Sequence, residues 1–210
     1  MRPRIRKPSL EPLDIKSYRP ISNLSFISKV VERLAVNRFS DHAFQHNLLP
    51  ERQSAYRRYH STETAITIVY NDIVPSTDAG FVSAWVLLDL SAAFATVDHN
   101  MLIDVLWKRF GVQQYELNWF QSYHSGRSQT FVVSDNKFGP VALTCSVPQG
   151  SVIGCKKFVA YTEDIVETID RFAVNHHLYA EDSQLLIHMH LEEVAEHRHR
   201  LELCVEQLRD

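Results

Sequence analysis

The sequence predicts an α+β fold, an antiparallel sheet with helices packed on one face. Three observations carry this. Helical periodicity dominates the first third, with Phe26, Ile27, Val30, Val31, Leu34 and Ala35 at three- and four-residue spacing. Trp85–Leu90 is an apolar run too short for a helix and suited to a buried strand. Two later pairs of short apolar segments flank turn-like stretches, as antiparallel hairpins do.

Element by element, residues 1–17 read as an extended arm, because Pro3, Pro8 and Pro12 break any helix. Residues 26–46 form a helix whose apolar stripe should face the core, and Leu48–Pro50 ends that unit. Ser61 caps a helix that should run to about Ile73, with Ala65, Ile68 and Val69 following the period loosely. After the Trp85–Leu90 strand come two helices, 100–110 and 113–124, parted by Gly111. Thr130–Val133 and Val141–Cys145 pair around a turn at Asp135–Pro140. Ser151–Ile169 reads as one helix. His177–Tyr179 and Gln184–His188 form a second hairpin joined at Ala180–Ser183. Glu192–Leu208 is an amphipathic helix with Val194, Leu201, Cys204, Val205 and Leu208 inward.

Composition narrows the function classes. A chain of 210 residues can bury one substantial core, or two small ones sharing an interface. No apolar run approaches the roughly 20 residues of a membrane span, and no membrane partner is expected. The basic N-terminus lacks the apolar stretch of a secretory signal. Cys145, Cys155 and Cys204 fit a reducing compartment better than a disulfide framework or a zinc site. The net charge of −3 hides an asymmetry. Residues 1–60 hold 12 Lys/Arg against 5 Asp/Glu, and the remainder holds 10 against 20. A basic first third suits a nucleic-acid backbone or a triphosphate, and equally a solvated tail.

Several residues offer chemistry. Asp89 ends an apolar strand, where a carboxylate is costly unless it meets a cation, a donor or water. Glu181 and Asp182 sit side by side at a hairpin tip and repel each other unless a cation intervenes. Acids are also common in turns and strand ends simply because these are wet. Carboxylates gathered from distant strands can hold the paired magnesium ions of phosphoryl transfer. Phe94, five residues beyond Asp89, could wall off a nucleotide sugar, or be a core ring on the following helix. Pro148–Gln149–Gly150 joins a rigid kink, an amide and a residue without Cβ, which lets backbone approach a flat ligand. It could also be a plain loop before a helix. Arg57 and Arg58 could grip a triphosphate bidentately, or line a basic turn. His188/His190 and His197/His199 form H-x-H pairs, which on a strand share a face that can bind zinc. The second pair sits on a predicted helix, where residues two apart do not face each other, and no cysteine or carboxylate spacing completes a site.

Seven segments arrive in a fixed order: Tyr18–Leu24, Gln53–Thr62, Leu87–Phe94, Val97–His99, Trp119–Arg127, Val147–Gly154 and Tyr179–Leu185. Together they resemble the reverse transcriptase domain of non-LTR (LINE-type) retrotransposons, most like the jockey-related clade. The resemblance spans nearly the whole chain. It implies a right-hand polymerase with fingers at 18–80, a palm at 81–190, and 191–210 as the start of a C-terminal helix leading to a thumb that is missing. Asp89, Glu181 and Asp182 would be the catalytic, metal-holding carboxylates. Phe94 matches the sugar-selecting position, Gln149 and Gly150 the loop near template and incoming base, and Arg57 the basic residue near the triphosphate. Arg19 could assist by position.

The cofactor implied is a pair of Mg²⁺ ions, or Mn²⁺ in their place. The partners implied are an RNA template, a DNA primer and deoxynucleoside triphosphates. A nuclear location follows by family analogy, with Arg2–Lys7 as a weak import-like cluster.

The chain also departs from the family. Glu181 stands where the family has Asp, and one added methylene moves a carboxylate by about 1.5 Å, which should impair metal-dependent catalysis. Ala95 replaces an Asp, and Tyr59 replaces a Gly. Cys155–Lys156–Lys157 replaces Pro and two apolar residues, and His124 replaces an apolar residue. These departures suggest a truncated, drifting copy with weakened activity. The alternatives are a catalytically dead nucleic-acid-binding remnant and an expressed relic that folds poorly.

Overall fold

The computed structural model describes residues 2–5, 11, 18–90, 93–133 and 136–209. In chain order the elements are β1 (Arg2–Ile5), β2 (Tyr18–Ile21), α1 (Phe26–Gln45), α2 (Thr62–Asp78), β3 (Val82–Asp89), α3 (Ala93–Thr96), α4 (His99–Lys108), α5 (Gln114–His124), β4 (Ser128–Val133), β5 (Asn136–Ala142), α6 (Gly154–Tyr161), α7 (Ile165–Arg171), β6 (Asn175–Tyr179), β7 (Asp182–Met189) and α8 (Val194–Gln207). Helices and antiparallel sheets mix as an α+β fold requires. The chain divides into two compact units, Met1–Leu48 with Ala92–Tyr161, and Leu49–Ser91 with Thr162–Asp210. Arg6, Lys7, Pro8 and Pro12 fall outside the described residues, as do the side chains of Arg2–Ile5 and of Arg19.

The first unit pairs β1 with β2 and β4 with β5, both antiparallel. Its core holds Phe39, Val97, Leu102, Leu106, Phe110, Phe120, Ile153 and Phe158. Phe39 meets Phe110 at 5.4 Å and Phe120 edge-on at 6.3 Å. Asp98 caps α4, its carboxylate accepting from the Asn100 and Met101 amides.

Helix α1 occupies the expected residues but buries the other face. Phe26, Ile27 and Leu34 are 80%, 74% and 63% exposed, while Glu32, Phe39 and Ala43 are buried. Hydrogen bonding decides this against the apolar stripe. Glu32 has three donors waiting for it inside, and a buried donor without a partner costs more than an exposed Leu.

Two other elements differ from expectation. The predicted single helix Ser151–Ile169 is two, α6 and α7, separated by Thr162–Asp164. The predicted turn at Asp135–Pro140 is mostly strand, since β5 starts at Asn136. Gly139 and Pro140, at the end of that stretch, lie within β5 beside a register shift between Gln129 and Phe131.

The second unit is built on a three-stranded antiparallel sheet in the order β3-β7-β6. Alternation sorts its side chains. Ala84, Val86 and Leu88 of β3 pack with Leu185, Ile187 and Met189 of β7 against Ile169 of α7 and Leu201 and Cys204 of α8. Val194 was expected inward with these, but it lies in the first turn of α8 and is 37% exposed. Helix α2 runs five residues beyond Ile73 despite Pro75. Ser76 and Thr77 hydroxyls donate to the Asp72 and Ile73 carbonyls and supply bonds around the proline. At its start Ser61 and Thr64 form a reciprocal capping box. All three cysteines are free. Among the described residues no helix is long and apolar enough to cross a membrane.

Candidate active site

The outward-facing residues of β3 are Ser83, Trp85, Leu87 and Asp89, opposite in parity to the core set. Register pairs Asp89 directly with Asp182, Leu87 with Gln184 and Trp85 with Leu186. Directly opposed residues of an antiparallel pair lie on one face, with Cβ atoms about 5 Å apart. The sheet thus brings two carboxylates, from residues 93 positions apart in sequence, to one edge of one face. Both are exposed.

Glu181 occupies the turn between β6 and β7. Tyr179 pairs with Asp182, which leaves Ala180 and Glu181 as a two-residue loop. Ala180 takes φ +56°, a left-handed conformation that tight hairpins demand and Ala pays for. The Glu181 carbonyl accepts from the Leu90 amide at 3.3 Å, tying the turn to the end of β3. Among the described residues no three His, Cys, Asp or Glu side chains are grouped as metal ligands. The structure therefore offers an opposed pair, Asp89 and Asp182, with the longer Glu181 beside it in the turn. Oxygen donors of this kind suit Mg²⁺, which is held by one or two carboxylates together with substrate phosphates and water.

Arg57 belongs to the same unit as the carboxylates. Its Nη1 donates to the Pro50 and Glu51 carbonyls, both at 2.9 Å, so this nitrogen closes its own loop. Tyr59, two residues on, sits at φ +66° and 86% exposed. The position is one that favours Gly, as the departure from the family pattern suggested.

Phe94, Gln149 and Gly150 belong to the other unit. The Phe94 ring stacks on buried Phe158 at 5.2 Å, and its carbonyl accepts from the Val147 amide at 2.6 Å. The Gln149 carbonyl accepts from the Ser22 amide at 2.9 Å. Gly150 has φ +101°, and a Cβ there would lie 3.3 Å from the Ser22 carbonyl oxygen. The missing side chain lets this loop approach the chain after β2.

Two residues with structural leverage on these segments escaped the sequence reading. Glu32 is fully buried; its carboxylate accepts from the Ser151 hydroxyl at 3.0 Å, the Val152 amide at 2.6 Å and the Tyr123 hydroxyl at 2.6 Å. It anchors the loop that carries Gln149 and Gly150. The available signal was its solitude: it is the sole acid in Phe26–Ser40, seven residues before Phe39 on the same helical face. Gln53 is the second. It is 2% exposed and bonds the Ala180 amide in the carboxylate turn. No periodicity marks it.

Two departures from the family pattern meet beside Glu32. Lys157 is 1% exposed and its Nζ lies 3.1 Å from His124 Nε2 and 4.0 Å from the centre of the Tyr123 ring. Burial pushes the Lys157 ammonium down to about 7; Glu32 opposes this and Arg127 adds to it. Burial, followed by the Lys157, His99 and Arg127 charges, pushes His124 down to about 3. A neutral His124 offers the lone pair that Lys157 needs.

Comparison with known proteins places the chain. The chain belongs to the reverse transcriptase (RNA-dependent DNA polymerase) family, whose model matches residues 5–210. It is 33% identical over 161 residues to a probable RNA-directed DNA polymerase from transposon BS of Drosophila melanogaster, an alignment covering 77% of this chain and 18% of that protein. It is 29% identical over 161 residues to the RNA-directed DNA polymerase from mobile element jockey of Drosophila funebris, covering 77% and 17%. The Drosophila melanogaster jockey polymerase is 28% identical over 187 residues, covering 87% and 20%. The chain spans about a fifth of the length of these relatives. The resemblance to a mobile-element reverse transcriptase domain, read from seven ordered motifs, is thereby borne out.

Proposed function

We propose that this domain carries the nucleotidyl-transfer centre of an RNA-directed DNA polymerase, with Asp89 and Asp182 as its carboxylate pair. The observation that carries this is the register: Asp89 stands opposite Asp182 at the exposed end of β3 and β7. The mutual repulsion of two like charges so placed disfavours them unless a cation is held between. Bound divalent metal would supply charge neutralisation for the triphosphate and activation of the primer hydroxyl. The chain's own part is to fix two oxygen donors on a rigid sheet edge, where no reorganisation is needed as charge develops. Glu181 has the same chemistry on a longer stem, and its extra methylene weakens the centre without abolishing it.

In this reading the β3-β7-β6 sheet is the palm, and the basic segment around Arg57 meets the triphosphate. Phe94 acts at the sugar of the incoming nucleotide, and Gln149 and Gly150 at its base. RNA template, DNA primer and deoxynucleoside triphosphates are the partners, Mg²⁺ or Mn²⁺ the cofactor. Primer extension on an RNA template tests this. The native chain extends the primer, Asp89→Asn and Asp182→Asn do not, and Glu181→Asp extends faster. Equal activity of native and Asp89→Asn chains would overturn the assignment.

A further inference from the structure

The hairpin that carries Glu181 and Asp182 is held from below by one amide. Gln53 lies on the segment Arg52–Ser54, which runs parallel to the end of β6: the Leu178 amide donates to the Arg52 carbonyl and the Ser54 amide to the Leu178 carbonyl, both at 2.9 Å. From this edge the buried Gln53 side chain reaches the turn. Its Oε1 accepts from the Ala180 amide at 3.2 Å and from the Ala55 amide at 2.9 Å. Both neighbours are N–H donors, which fixes the oxygen rather than the NH₂ at this place.

The Ala180 amide is a group with few options. In a two-residue hairpin the first loop residue has no partner on the opposite strand, and Ala180 is already held at φ +56°. An acceptor at its N–H therefore selects this loop conformation over others an Ala would prefer. The turn is then gripped twice, by Gln53 at Ala180 and by Leu90 at the Glu181 carbonyl. An acid at position 53 could accept the same bond but would add a further negative charge beside Glu181 and Asp182. A neutral amide oxygen gives the bond without the charge.

We propose that Gln53 is a positioning residue for the carboxylate turn, its amide oxygen setting where Glu181 and Asp182 stand relative to Asp89. This rests on the polymerase reading of the Asp89–Asp182 pair, and groups that orient metal-holding side chains typically affect metal affinity or activity by about 10- to 100-fold.

The test compares the native chain with Gln53→Leu, which removes the acceptor at similar volume, and Gln53→Glu, which keeps an acceptor. Amide exchange is read at Ala180 and at the core residues Leu185 and Ile187, alongside Mn²⁺ affinity and primer-extension kinetics. Gln53→Leu should exchange Ala180 about tenfold faster with Leu185 and Ile187 still protected. It should bind Mn²⁺ about tenfold more weakly and lose kcat with little change in KM. Gln53→Glu should keep Ala180 protected.

Native exchange at Ala180 in a folded Gln53→Leu chain, or native Mn²⁺ affinity there, overturns the proposal. If Gln53→Leu does not fold, Gln53→Glu decides: retained Ala180 protection supports the bond, and lost protection refutes it. A native chain that extends no primer sinks the polymerase reading, while the Ala180 exchange rates still judge the grip on the turn.

Discussion

Asp89 of β3 and Asp182 of β7 are directly opposed across one antiparallel pair, at the exposed end of a sheet whose other face is the core of its unit. Like charges so placed destabilise the sheet. Without divalent cations Asp89→Asn should therefore raise stability by about 0.5 kcal/mol. Mg²⁺ should raise the Tm of the native chain and leave the variant nearly unmoved, because only the native pair gains by binding. Thermal melts with chelator and with Mg²⁺ check both signs.

Tyr59 at φ +66° gives a second prediction. Its ring is 86% exposed, so little packing is lost on removal. Tyr59→Gly should stabilise by about 1 kcal/mol, the approximate cost of holding an L-residue in the left-handed region. A urea titration should show a higher midpoint at unchanged slope.

The Lys157–His124 pair predicts an unusual dependence on pH. Both groups have folded pKa values below their unfolded ones, to about 7 from 10.5 for Lys157 and to about 3 from 6.5 for His124. In each window the unfolded chain binds more protons, so stability rises with pH. It should climb from pH 3 to 6.5 through His124 and again from pH 7 to 10.5 through Lys157. Lys157→Met should flatten the upper limb and raise stability near pH 7, where the native lysine is charged in the unfolded chain. Tm against pH for the two chains measures this.

Glu32 supplies a fourth. Glu32→Gln removes the charge that three donors and the Lys157 ammonium answer to. The expected cost is about 3 kcal/mol, and the loss should be smaller in a Lys157→Met background because the two sites are coupled. A double-mutant cycle in denaturant reads the coupling.

The sequence made the site more legible than the packing. Asp89 could be placed at a strand end because a short apolar run leads to it, whereas Asp182 was legible only as part of a hairpin tip; it is the first residue of β7, and the sheet register sets it opposite Asp89. The helix periods of α1, α2, α4, α5 and α8 were legible too, along with the Ser61 cap. The inward face of α1 was not. Apolar spacing pointed to Phe26, Ile27 and Leu34, whereas three hydrogen-bond donors far along the chain draw Glu32 inside. The break between α6 and α7 escaped because Thr162–Asp164 carries neither Gly nor Pro. The grip of Gln53 on Ala180 escaped because it joins residues 127 positions apart by a single bond. Lys157 and His124 each looked like damage when read alone, and only the fold shows one answering the other.

The most direct measurement is Fe²⁺-mediated hydroxyl-radical cleavage of the folded chain, in which iron takes the place of Mg²⁺ and cuts the backbone where it is held. The account predicts cuts beside Asp89 and beside Glu181–Asp182, suppressed by excess Mg²⁺ and absent from Asp89→Ala. Cleavage elsewhere, or an unchanged pattern in Asp89→Ala, would contradict it.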